Sequence, residues 1–195
     1  MKKLYLFDFD GTLTYKDTMF LFLKFYDSKK YFLGFMKHVP LFVLMKLHLA
    51  NTEKVKKSFI ASVLKGQREE TIERKSQEFF DKVYPAIIRE NALEFINTID
   101  RQNVESYLIT ASLDIWTKPF AHKFGMKLIA TEARFHNGIF TGHFNTKNNN
   151  GIEKVKRIKT EMEGKKFDKI IAFGDTSGDK PMLALANESH YRFFH

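Results

Sequence analysis

The chain has 195 residues, 44% of them hydrophobic and 28% charged, which suits one large domain or one domain carrying an insertion. Cysteine is absent, which excludes disulfides, thiolate catalysis and cysteine-ligated zinc and fits a reducing cytoplasm. The net charge of +9 is uneven: Lys16 to Lys75 holds 13 Lys/Arg against 6 Asp/Glu, an excess of +7. Such an excess reads either as a solvated helical surface or as attraction for anionic partners such as phosphorylated substrates, lipid headgroups or nucleic acid.

Met1-Lys2-Lys3 runs straight into a short apolar segment, unlike a signal peptide. Leu4 to Phe9 reads as a buried parallel strand. Almost a hundred residues without a good strand follow. Met19 to Leu49 is rich in Phe, Leu, Met and Lys, with a helix break expected at Pro40. Its longest uncharged apolar stretch, Val39 to Met45, falls far short of the roughly 20 residues needed to span a bilayer. Asn51-Thr52 caps a helix over Glu53 to Leu64, Gly66 ends it, and Arg68 to Val83 forms the next. Pro85 opens a further helix toward Asp100.

Val104 to Thr110 and Lys169 to Phe173 read as further buried strands, and Leu128 to Thr131 as a fourth. Asn137-Gly138 sits between aromatic residues in Arg134 to Phe144, a hairpin signal. A helix runs from Ile152 to Glu163, and the end of the chain, His190 to His195, reads as an edge strand or a docking tail. Strands alternating with helices predict an α/β fold: a doubly wound, mostly parallel Rossmann-like sheet with a helical cap inserted after the first strand. The expected domains are an α/β core of residues 1–15 and 85–195 and a helical cap of residues 16–84.

In such a sheet, ligands gather beyond the carboxyl ends of the strands. Those ends carry Asp8 and Asp10, then Thr110-Ala111-Ser112, then Gly174-Asp175-Thr176-Ser177-Gly178-Asp179. Strand residues i and i+2 share a face, so Asp8 and Asp10 converge on one small volume. Two anions that close need a cation or a shared proton between them. The arrangement suits a hard divalent ion and phosphate chemistry.

Asp8-Phe9-Asp10-Gly11-Thr12, Leu108-Ile109-Thr110, Lys154 after Gly151, and Gly174 to Asp179 resemble, in order and spacing, the four motifs of the haloacid dehalogenase-like superfamily. The likeness runs from about Lys3 to Ala186, and a cap between the first two motifs is similar to that of the phosphoserine phosphatase-like subfamily. The resemblance implies a magnesium-dependent phosphatase acting on a small phosphate monoester. Asp8 is then the nucleophile, forming an aspartyl phosphate, and Asp10 the general acid and then base. Asp175 ligates Mg2+ with Asp8 and the Asp10 carbonyl. Asp179 either holds the lysine ammonium or ligates the metal through water. Thr110 and the Ala111 N–H bind phosphate, with Ser112 as a further donor where the family often has glycine nearby. Lys154 neutralises phosphate oxygens, with Lys147 as the alternative lysine. Asp17 either meets a substrate amine or caps the next helix.

The resemblance to phosphoserine phosphatases implies a cap arginine holding the serine carboxylate, but Glu53 to Lys65 offers only lysines as cations, which do not reproduce an arginine fork, so L-phosphoserine is a poor substrate candidate. The interleaved aromatic and basic residues of Met19 to Leu49 read as two helices packing on the core, or as an interfacial surface for anionic lipid. With the latter, the family resemblance implies a phosphatidylglycerophosphate-type lipid phosphatase as an alternative, since some members of the subfamily are similar to such enzymes. A phosphomutase would use the same residues, whereas a nucleic-acid-binding protein finds no supporting motif.

Overall fold

The computed structural model describes residues 2–47 and 49–195. Five strands, β1 (Lys3–Phe7), β2 (Val104–Leu113), β3 (Lys127–Thr131), β6 (Lys169–Gly174) and β7 (Glu188–Tyr191), form one parallel sheet in the order β3-β2-β1-β6-β7. The two remaining strands, β4 (Ala133–His136) and β5 (Ile139–Phe144), form the hairpin expected at Asn137-Gly138.

Alternation on the strands explains why both faces are covered. Leu4, Leu6, Tyr107, Ile109 and Ala172 point to one side, against α7 (Ile152–Glu161) and α8 (Lys180–Leu185). Tyr5, Phe7, Leu108, Ile171 and Phe173 point to the other, against α5 (Glu90–Asn97) and α6 (Asp114–Phe124). There Phe7 stacks on Phe173, ring centroids 4.8 Å apart, and Phe95 meets Phe173 edge-on at 5.1 Å. The end of the chain is both things its sequence suggested. β7 is an edge strand, and Phe194 beyond it stacks on Phe173 at 5.3 Å.

Four helices are inserted after β1: α1 (Thr18–Tyr26), α2 (Ser28–Lys46), α3 (Thr52–Leu64) and α4 (Glu69–Val83). Asn51 caps α3 by accepting from the Lys54 N–H. Pro40 does not break its helix, contrary to expectation; α2 continues through it. Pro40 and Met36, whose carbonyl loses its helical partner there, are both exposed, so the loss falls on the solvent side of the helix. Pro85 does not open a helix either. The chain turns through residues 84–87, Ile88 then bridges Thr14 beyond β1, held by Tyr15 N–H to Ile87 O and Arg89 N–H to Leu13 O, and α5 begins only at Glu90.

The register sets up the site. Phe7 pairs with Leu108 on one side and Phe173 on the other. The residues just beyond these three strand positions therefore emerge side by side at one rim of the sheet.

Candidate active site

The rim holds a buried charge cluster. Lys154, in the first turn of α7, is 1% exposed, and its Nζ donates to Asp8 Oδ1 at 2.5 Å, Asp179 Oδ1 at 2.6 Å and the Ile109 carbonyl at 3.2 Å. Asp179 closes a 3₁₀ turn (Ser177–Asp179), where its Oδ2 accepts from the Thr176 N–H and hydroxyl at 2.9 and 2.7 Å. The local sequence builds this turn, because Thr176 and Asp179 cap one another reciprocally. Lys147, the alternative lysine, is exposed.

Burial pushes the Asp8 carboxyl up to about 7, against Lys154, with Asp179 and Asp10 adding to the rise. Burial also acts against the Lys154 ammonium, but Asp8 and Asp179 outweigh it and raise its pKa. For Asp179, burial is overcome by Lys154, which holds the carboxyl below its ordinary range. The trio is therefore a lysine cation with Asp179 firmly ionised and Asp8 as the weaker partner.

Thr12 was not singled out by the sequence, yet it ties two of the carboxylates together. Its hydroxyl lies 2.9 Å from Asp8 Oδ2 and 2.8 Å from Asp175 Oδ1. A hydroxyl carries one proton and can donate to only one of them. Gly11, at φ +88°, lets the loop pass so close that a Cβ there would sit 2.6 Å from Asp175 Oδ2. Asp8, Asp175 and Asp179 can each present an oxygen within 4.8 Å of the others. Hard oxygen donors, close together and short of protons, fit a magnesium ion.

Asp10 faces a different way. Its Oδ1 accepts from the Thr18 N–H at 2.7 Å and the Thr18 hydroxyl at 2.6 Å. Its Oδ2 accepts from the Ser112 hydroxyl at 2.5 Å and the Thr110 hydroxyl at 3.4 Å. So Ser112, expected to donate to phosphate, is committed to Asp10. The local geometry also departs from expectation. β2 does not end at Thr110 but runs on through Ala111 and Ser112 to Leu113, so all three residues are extended. The segment is pinned by Ser112 N–H to Thr110 Oγ1, Thr131 Oγ1 to Ala111 O, and the buried Asn149 amide to Thr110 O.

Asp17 caps α1, accepting from the Met19 N–H at 2.9 Å, and it also lines the rim cavity. Burial and the like charge of Asp10 raise its carboxyl to about 6, against Lys56. The cavity, about 170 Å³, is lined by Asp8, Asp10, Thr110, Ser112 and Lys154 from the sheet side and by Asp17, Thr52 and Lys56 from the helical insertion. Thr52 and Lys56 stand one turn apart on α3, a contribution no motif announced. A larger cavity of about 550 Å³ opens between α4 and the hairpin, but its lining is mostly exposed surface side chains such as Arg68, Glu70 and Glu73.

A parallel sheet, an insertion after β1 and an acidic rim around a buried lysine describe a haloacid dehalogenase-like hydrolase. Residues 5–184 match that family, and the chain belongs to it. It is 33% identical over 190 residues to Protein CicA of Caulobacter vibrioides, covering 96% of this chain and 85% of that one. A Bordetella pertussis protein of unknown function superimposes with TM-score 0.82 at 20% identity, over 97% of this chain and 89% of that one. A substrate-bound phosphoserine phosphatase does so with TM-score 0.68 at 20% identity, over 97% and 85%. Among the described residues, no helix is long and apolar enough to cross a membrane.

Proposed function

We propose that this chain is a magnesium-dependent phosphatase that hydrolyses a small phosphate monoester through a phosphoryl group carried on Asp8. The observation that carries the reading is the buried Lys154 ammonium shared between Asp8 and Asp179, with Asp175 close by and Asp10 held apart on its own donors. Family membership and the likeness to phosphoserine phosphatase support the same reading.

Asp8 and Asp175, with the Asp10 carbonyl, would hold magnesium, which when bound supplies positive charge against the phosphate oxygens. The chain's own groups do the rest. Lys154 lowers the repulsion between Asp8 and the arriving dianion. The Thr110 hydroxyl and the Ala111 N–H bind phosphate oxygens, while Ser112 and Thr18 orient Asp10. An Asp8 oxygen forms a bond to phosphorus as the ester P–O bond breaks, and the leaving alkoxide takes a proton from Asp10. Asp10, now a carboxylate, then takes a proton from water. The water oxygen bonds to phosphorus, the Asp8–phosphorus bond breaks, and Asp8 is restored with release of phosphate.

Residues 16–84 serve as a cap over the core of residues 1–15 and 85–195, excluding bulk water and presenting Asp17, Thr52 and Lys56 to the leaving group. A lipid-phosphate substrate is the second reading, favoured by the exposed apolar side chains of α2.

The test is turnover of para-nitrophenyl phosphate with magnesium, measured as inorganic phosphate released. The wild type should turn over, Asp8→Asn should not, and chelation should abolish the activity. Turnover retained in Asp8→Asn would refute the nucleophile. Transfer back to an alcohol without phosphate release would point to a mutase.

A further inference from the structure

The inward side of α2 is fully used. Phe35 and Phe42 pack on Phe20 and Phe59, the His38 ring bonds the Ser58 hydroxyl at 2.9 Å, and Gly34 lies so close to α3 that a Cβ would come within 2.4 Å of Ser62 Oγ. The outward side of a helix on a globular protein is ordinarily polar. Here it is not. Phe32, Leu33, Met36, Val43 and Leu47 are 54%, 66%, 70%, 53% and 60% exposed, and Val39 joins them at 37%. Phe32, Met36, Val39, Val43 and Leu47 fall at intervals of four, three, four and four residues, so they form one stripe. A contiguous apolar face of this kind marks a binding surface.

We propose that this stripe docks on an anionic lipid bilayer, with α2 lying along the headgroup plane. The charge pattern chooses the occupant. At 100° per residue, Lys46 falls at one edge of the stripe and Lys29 at the other, with Lys37 and Lys30 beyond Leu33 on that second side. From Ser28 to Thr52 the sequence contains no Asp or Glu. Lys24 reaches over the Phe32 ring at 5.6 Å, adding a cation at the rim. Lysine stems lie along apolar surface while their ammonium groups reach headgroup phosphates. A second copy of the chain is a poor occupant, since two such faces would oppose their lysine rows, each within a segment of net charge +7. α2 lies on the bilayer and does not span it, because no described helix is long and apolar enough. This docking stands apart from the identity of the substrate, since none of these side chains lines the rim cavity.

The experiment is co-sedimentation of the full chain with phosphatidylcholine vesicles, with and without phosphatidylglycerol. Beside the wild type run Met36→Glu/Val43→Glu and, as a reporter, Phe32→Trp. The wild type should pellet with the anionic vesicles, and salt should weaken its binding. It should remain in solution with the neutral ones. The double variant should lose about tenfold in partitioning, with its circular dichroism and its turnover of para-nitrophenyl phosphate in lipid-free buffer unchanged. The tryptophan added at position 32 should shift its emission to the blue on anionic vesicles. Lys30→Glu/Lys37→Glu, which leaves the stripe intact, should lose the anionic preference. A wild type that stays in solution with both vesicle types overturns the proposal. So does a double variant that binds as well as the wild type. Sedimentation equilibrium showing a wild-type dimer that the double variant dissolves, with no vesicle binding, would assign the stripe to a second copy instead.

Discussion

The indole N–H of Trp116 donates to the hydroxyl of Thr18 at 3.2 Å, and this decides where that hydroxyl can point. An indole nitrogen only donates, so Thr18 must accept from it, and its single proton is left for Asp10 Oδ1, 2.6 Å away. Trp116 is fully buried in α6 and stacks on Phe22 of α1 at 5.2 Å. One contact thus joins the inserted helices, the core and the proposed acid. Trp116→Phe keeps most of the ring packing and removes the donor. Its kcat should fall about tenfold with KM nearly unchanged, the pattern expected when a proton-transfer group is held less well. Thr18→Ser, which keeps the hydroxyl, should restore most of the rate lost in Thr18→Val. A rise in KM at constant kcat in Trp116→Phe would show that the indole serves only to hold the fold together.

Lys154 supplies a second prediction, read in stability. It is buried between two carboxylates. Removing one member of a buried ion cluster leaves charge without compensation, which typically costs about 3–5 kcal/mol. Lys154→Met should therefore unfold at clearly lower urea than the wild type at pH 7. Lys154→Met/Asp179→Asn should be less destabilised than the sum of its single variants, because each removes part of the other's burden. Strict additivity would mean that the two side chains do not interact in solution.

Much of the fold follows from alternation along the strands. Leu4 and Leu6 fill one face while Tyr5 and Phe7 fill the other, so the strand reads as an unbroken apolar run, the signature of a sheet covered on both sides. The acidic residues of the rim were legible for a related reason: they stand just past such runs. The Trp116–Thr18 bond was not legible, because the partners are 98 positions apart and no spacing rule joins them. Thr12 was visible only as part of a motif; its place between Asp8 and Asp175 comes from the crossing of β1 and β6 loops. Pro40 misled because a proline disrupts a helix least where the freed carbonyl meets water, and a sequence does not show which face is wet until the packing is known.

Asp17 gives a pH-dependent prediction. Its folded carboxyl, raised to about 6 by burial and by Asp10, binds its proton more tightly than the unfolded side chain does at its ordinary 3.8. The contribution to stability is therefore full below about 3.8 and is lost as the pH rises through about 6. Asp17→Asn abolishes this titration while keeping a good helix cap. The variant should melt higher than the wild type at pH 8, by roughly 1–2 kcal/mol once solvent screening at this partly exposed site is allowed for. The gap should close as the pH falls toward 4. A gap independent of pH between 4 and 8 would refute the assignment.

Thr12 and the proposed metal can be separated by melting temperature. Without a cation, Asp8 Oδ2 and Asp175 Oδ1 compete for the single proton of the Thr12 hydroxyl. Magnesium at about a hundred times its Kd should stabilise the wild type by about 2.7 kcal/mol, roughly 5–10 °C in a chain of this size. Asp175→Asn removes a ligand, so most of that shift should vanish. Thr12→Val should behave in the opposite sense. It removes the one donor for which these two buried oxygens compete and lowers the metal-free melting point, since an unsatisfied buried acceptor costs about 1–3 kcal/mol. The cation can satisfy those oxygens directly, so the magnesium-induced shift of Thr12→Val should exceed that of the wild type. If magnesium moved all three proteins equally, the ion would be binding elsewhere, and the acidic rim would have to be explained by Lys154 alone.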